Sequence, residues 1–236
     1  MGTEKTPSNL ARVSGTAVFG AVGVAAGVGF AVLGALRRNR PIHSVGTVVP
    51  GRLIIDTPGT TGSALFDAAG ETPLIARLSR SASWPVELPD IIGLAVRIPG
   101  GGHYGGEADL LFASTGTGRL TRYILQLRTS AGAGPLTTMF PLTGVEGNIV
   151  FRLDPEPHDH YQLSYSPNSG PWWGLGGISL EPSGEPSQRS NDPAGSDDPT
   201  LRFRPVANPP TGLSVPAWLR AVRAPAYGAA RIAWHA

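Results

Sequence analysis

Cysteine is missing from all 236 residues. That excludes disulfides, thiol catalysis and cysteine-based metal sites, and it leaves the redox compartment open. Lysine occurs once, at Lys5, so arginine supplies nearly all the positive charge. Such a bias reflects composition more readily than function. The net charge is only +2, which gives no field strong enough to suggest a nucleic-acid partner. There is no nucleophile elbow, no Walker loop, no zinc-binding helix motif and no internal repeat. Aromatic residues make up 7% and charged residues 15% of the chain.

Glycine and proline fill the space these leave, with 32 and 23 copies. That abundance favours strands and turns over a helical bundle. Short apolar runs separated by turn signals predict strands over 47–56, 72–79, 91–98, 108–114, 122–128, 148–153, 161–166, 176–181 and 201–206. Short strands at this spacing predict an antiparallel barrel or sandwich. A short helix is expected over 63–70 and a helical stretch, broken at Pro225, over 216–235. Residues 182–200 are almost free of apolar side chains and read as a surface loop within one domain, 38–236.

Residues 1–37 stand apart. Between Arg12 and Arg37 lie 24 residues without a charge, and about 20 suffice to cross a bilayer as a helix. Gly23 and Gly27 form a small-xxx-small pair that allows close helix packing. The alternative is a Gly/Ala-rich helix packed on the domain. If residues 13–36 span a membrane, the following Arg-Arg-Asn-Arg places the main domain on the cytoplasmic side.

Among chemistry-bearing stretches, Gly100–Gly106 is glycine-rich but opens no helix, so a hairpin loop is the better reading than a phosphate cradle. His158 and His160 lack a third ligand nearby in sequence and read as a turn. Three other stretches belong together. The first holds Arg40, His43, Gly46 and Gly51. The second runs from Arg77 and Ser79, two residues apart, to Asp90, Gly93, Ala95, Val96 and Arg97. The third holds Arg223, Tyr227 and Arg231 at four-residue spacing. Four-residue spacing puts Tyr227 and Arg231 on one helix face.

These stretches, in this order, resemble the haem catalases. Arg40-x-x-His43-x-x-Gly46-x4-Gly51 resembles the distal segment of that family. Arg77-x-Ser79, then Asp90-x-x-Gly93-x-Ala95-Val96-Arg97 and Asp109-Leu110, resembles its second conserved stretch. Arg223-x-x-x-Tyr227 resembles the proximal segment. The resemblance implies a catalase-like antiparallel β-barrel with a C-terminal helix; with the apolar N-terminal helix read from residues 13–36, the expected fold is mainly β, α+β. It implies haem b as cofactor, with Tyr227 as the axial ligand of the iron. His43 would be the acid–base residue, suited to moving a proton near neutral pH, and Ser79 its positioning partner. Arg40 and Arg77 would meet the haem propionates, a task that suits the guanidinium fork. Arg223 and Arg231 would favour the phenolate of Tyr227, and Phe112 would supply an aromatic wall.

The chain is far shorter than a full catalase, and where that family carries a distal asparagine this one reads Asp-Leu-Leu-Phe-Ala-Ser. Both departures point to a peroxidase-like activity on hydrogen peroxide or organic peroxides, using an external electron donor, rather than to fast disproportionation. Two further readings stay open: a catalase-fold binding or membrane-associated module without haem, and an isomerase of lipid hydroperoxides. Homo-oligomerisation is also left open.

Overall fold

The computed structural model describes residues 46–80, 87–181 and 201–219. The chain divides into a unit of residues 1–42 and a unit of residues 43–236, and every described residue belongs to the second. Nine strands follow in order: β1 (Gly46–Ile55), β2 (Gly70–Arg80), β3 (Ile92–Ile98), β4 (Ala108–Ser114), β5 (Leu136–Thr137), β6 (Leu142–Gly144), β7 (Gly147–Glu156), β8 (His160–Pro167) and β9 (Trp173–Leu180). One four-residue helix, α1 (Ala64–Asp67), lies between β1 and β2.

Every pairing is antiparallel. The sheet order is β5-β4-β3-β2-β1-β9-β8-β7-β6, and β5 also pairs with β7. That second pairing closes the sheet into a barrel of eight strands and leaves β6 outside it, paired with β7 and bridged to Ser214 through Thr143. Closure removes the exposed edges that an open sheet would carry. The mainly β barrel expected from the sequence is therefore the observed architecture.

Alternation decides which residues point inward. On β1, Val49, Leu53 and Ile55 are buried while Pro50 and Arg52 are exposed. Leu94 and Val96 of β3, Leu110 and Phe112 of β4, and Phe151 and Leu153 of β7 continue the interior. Phe66 of α1 joins them, its ring 4.6 Å from that of Phe151. An eight-stranded barrel is just wide enough for its side chains to fill it. The interior is thus a core packed by these side chains.

Two sequence details have local causes. Pro50 has no N–H for a ladder, and it sits where the β9 pairing stops at Gly51↔Leu180. A side chain at Gly51 would place its Cβ 2.5 Å from the Ser179 carbonyl oxygen, so the close approach of β9 requires glycine there.

Three predicted elements differ. Residues 122–128 form no strand. They contain a 3-10 turn (Thr121–Tyr123) and two isolated bridges, Thr115↔Leu125 and Asp90↔Arg128. Residues 201–206 also form no strand. The helix expected over 63–70 is reduced to α1. The predicted N-terminal helix, the loop over 182–200 and the C-terminal stretch beyond Leu219 lie outside the described residues.

Candidate functional site

Arg77 and Ser79 stand on β2, two residues apart and therefore on one face of the sheet. The register fixes their neighbours. Arg77 pairs with Val48 of β1 and Ala95 of β3. Ser79 pairs with Gly46 of β1 and Gly93 of β3. On β4, Leu111 and Ala113 extend the same row opposite Ala95 and Gly93. The result is an outer face of two polar side chains among small or aliphatic ones, and all but the exposed Leu111 are half-buried where burial is described.

Glycine at 93 leaves room for the Ser79 hydroxyl. A Cβ there would lie 3.0 Å from Ser79 Oγ and would press on it. The ladder also places the chain leading to His43. Gly46 is directly opposite Ser79, and His43 precedes Gly46 by three residues.

Phe112 has a different place. It is 2% exposed and packs inside the barrel, on the sheet face opposite Arg77 and Ser79. Arg40, His43, Arg223, Tyr227 and Arg231 lie outside the described residues.

The same outer face carries an ion pair that sequence reading did not single out. Arg97 Nε donates to Asp109 Oδ1 at 2.8 Å and Nη2 donates to Oδ2 at 2.9 Å. Its Nη1 lies 3.0 Å from Glu107. These contacts hold the guanidinium above its ordinary range: the hydrogen bonds to Asp109 raise it most, and burial opposes them. Asp109 also accepts the Arg204 backbone N–H at 2.7 Å and the Asn208 side-chain amide at 3.1 Å. Arg97 donates to the Arg202 carbonyl and stacks 5.2 Å from the Phe203 ring. Residues 202–208 are thereby strapped across β3 and β4. The Arg97 and Asp109 of the second motif hold this strap.

Past the strap the chain bridges to β6 at Thr143↔Ser214 and joins the core through Leu213, Val215 and Leu219. A small cavity of about 50 Å³ is lined by Leu111, Phe140, Pro205, Val215 and Leu219 among others. Leu219 is buried and ends a helical turn of the described chain. Tyr227 lies eight residues further along the sequence.

A second, open cavity of about 400 Å³ lies over β1, β8 and β9, lined by Asp56, Glu156, His160, Gln162 and Gly177 among others. It contains none of the candidate residues. His158 and Asp159 adopt left-handed conformations there, and His160 Nδ1 lies 2.8 Å from the His158 carbonyl oxygen, as expected of a turn. No group of three or more His, Asp or Glu able to hold a metal ion occurs among the described residues.

No family model matches the sequence, and no curated protein matches it. A solved structure described as that of a bacterial catalase is similar to the chain, with a TM-score of 0.49 and 12% sequence identity. The match covers 93% of this chain and 61% of that one, so this chain spans less than two thirds of the length of its solved neighbour. Arg77, Ser79 and their register, rather than that likeness, carry the functional reading.

Proposed function

We propose that the chain is a haem-dependent, peroxidase-like protein that reduces hydrogen peroxide or organic peroxides with an external donor and has weak true catalase activity. The observation that carries this reading is the shared outer face of Arg77 and Ser79. In the sequence His43 lies three residues before Gly46, which pairs with Ser79. The described part of the face fits the group. Gly93, Ala95 and Ala113 keep the surface low enough for a flat macrocycle to approach, and Arg77 offers a planar fork of the kind that binds carboxylates.

In this reading Arg40 and Arg77 hold the propionates and Tyr227 holds the iron. Arg223 and Arg231 favour its phenolate form. Haem, when bound, supplies the redox chemistry at the peroxide. His43 accepts a proton from one peroxide oxygen and returns it to the other, which makes the departing oxygen a better leaving group. Ser79 orients the imidazole of His43. Phe112 is part of the core and takes no part. Residues 13–36 anchor the protein to a membrane, with the barrel on the cytoplasmic side.

His43→Ala tests the reading most simply. The variant is expected to keep its haem and lose about 10²–10⁴-fold in peroxide reduction. Unchanged turnover removes His43 from the chemistry.

A further inference from the structure

Closure gives each of the eight barrel strands a neighbour on both sides. Residues 124–128 stay outside that circuit. They run along the rim of the barrel and are held there by the isolated bridges Thr115↔Leu125 and Asp90↔Arg128. The hydrogen bonds show which way each residue turns. Arg128 exchanges both of its backbone bonds with Asp90, each 2.8 Å long, and the Gln126 N–H donates to the Ser114 carbonyl at 2.8 Å. The Gln126 carbonyl accepts from Ser114 Oγ at 2.6 Å. Residues 126 and 128 therefore spend their backbone groups on the barrel. Along an extended chain these groups alternate in direction, so the N–H and C=O of Leu125 and Leu127 point outward. Those four groups have no hydrogen-bond partner among the described residues.

Such an edge is a template for another strand. Its side chains are apolar: Ile124 is 55% and Leu127 58% exposed, and Leu125 is half-buried. The edge is also complementary to itself. When two copies lie antiparallel about a twofold axis at Gln126, Leu125 of each copy stands opposite Leu127 of the other. Each of these two pairs exchanges two backbone bonds. Gln126 then faces its own counterpart in the closer spacing without backbone bonds, and Ile124 faces Arg128. No like charges oppose one another, because the Arg128 guanidinium already donates to the Ala133 and Thr115 carbonyls and to Gln126 Oε1 of its own chain. Apolar cross-strand pairs add to the backbone bonds. A twofold contact uses the same patch on both copies, so association closes at the dimer.

We propose that the outer edge of residues 124–128 is a homodimer interface, formed by antiparallel pairing with the same segment of a second copy of the chain. The proposal does not depend on the haem reading.

The chain has no cysteine, so Gln126→Cys introduces a single thiol. Facing residues without backbone bonds stand about 4.5 Å apart between Cα atoms, a spacing that a disulfide can bridge. The full chain, kept in mild detergent, is oxidised with copper phenanthroline, and masses are measured by light scattering. Gln126→Cys is expected to form a disulfide dimer about tenfold faster than Tyr104→Cys, whose thiol would stand on a fully exposed turn. The unaltered chain is expected to reach twice its monomer mass as concentration rises. Leu127→Pro removes an N–H that the barrel does not use and the pairing needs. It is expected to weaken dimerisation about tenfold, since each dimer loses two bonds, with the circular dichroism unchanged. Leu127→Arg sets a charge against Leu125 of the second copy, and it decides the test if the proline variant fails to fold. A monomer at every soluble concentration overturns the proposal. Equal cross-linking at 126 and 104 also overturns it. A dimer untouched by either substitution at 127 overturns it too, and assigns association to another surface.

Discussion

The two faces of the β2–β4 sheet are built on opposite rules. The inner face carries Ala76, Leu94, Val96, Leu110 and Phe112, nearly all sealed from solvent. The outer face carries Arg77, Ser79, Gly93, Ala95, Leu111 and Ala113, and only at Arg97 and Asp109 is a charged pair fully covered. Large apolar residues fill the inside because an eight-stranded barrel has space for little else. The outer face is kept small and partly polar. Where the strap crosses it, Arg97 is committed to Asp109 and Glu107.

Substitutions can break or sharpen that contrast. Phe112→Ala opens a cavity in the core and is expected to cost about 3–5 kcal/mol of stability. Urea denaturation followed by circular dichroism measures it, and a loss under 1 kcal/mol would mean that Phe112 is not packed as described. Asp109→Ala leaves the buried Arg97 with only the exposed Glu107 as counter-ion and frees the strap. The expected cost is about 3 kcal/mol, accompanied by faster amide exchange at Arg204, whose N–H bonds Asp109. Ser79→Ala lies at the other extreme. It should change stability by less than about 1 kcal/mol and leave haem content unaltered. Its effect should appear in the pH profile of peroxide reduction, because the proposed reading gives Ser79 the task of orienting His43. A profile identical to wild type would reduce Ser79 to a surface hydroxyl.

A second comparison concerns two buried arginines. Arg97 is held by carboxylates. Arg122, 2% exposed, makes no ion pair among the described residues. It donates to Ser166 Oγ at 2.6 Å and to the Gly118 and Gly170 carbonyls, and stacks 4.3 Å from the Trp172 ring. Burial, together with Arg152 and Arg119 nearby, pulls this guanidinium below its ordinary range, against a smaller opposing effect of Tyr123. Arg122 clasps the turn at 121–123 onto β8.

Much of the barrel was legible because β1, β2, β7 and β8 carry apolar runs bounded by turn residues within strands of eight or more residues. β5 and β6 were not, since two or three residues show no period. Residues 122–128 alternate like a strand, yet the barrel closes through β5 and leaves them outside. Residues 201–206 also read as a strand, but they meet the sheet through the side chains of Arg97 and Asp109. In the candidate site, the spacing of Arg77 and Ser79 was enough to place them on one face. Phe112 sits in the apolar run Ala-Asp-Leu-Leu-Phe-Ala-Ser, where nothing in the sequence says which side is inward. The register supplies that answer.

The absorption spectrum of the full chain, expressed with haem supplied, tests the central claim most directly. The account predicts a Soret band of high-spin ferric haem that is altered or lost in Tyr227→Phe. A folded barrel without a Soret band, or a spectrum unchanged by Tyr227→Phe, would contradict it.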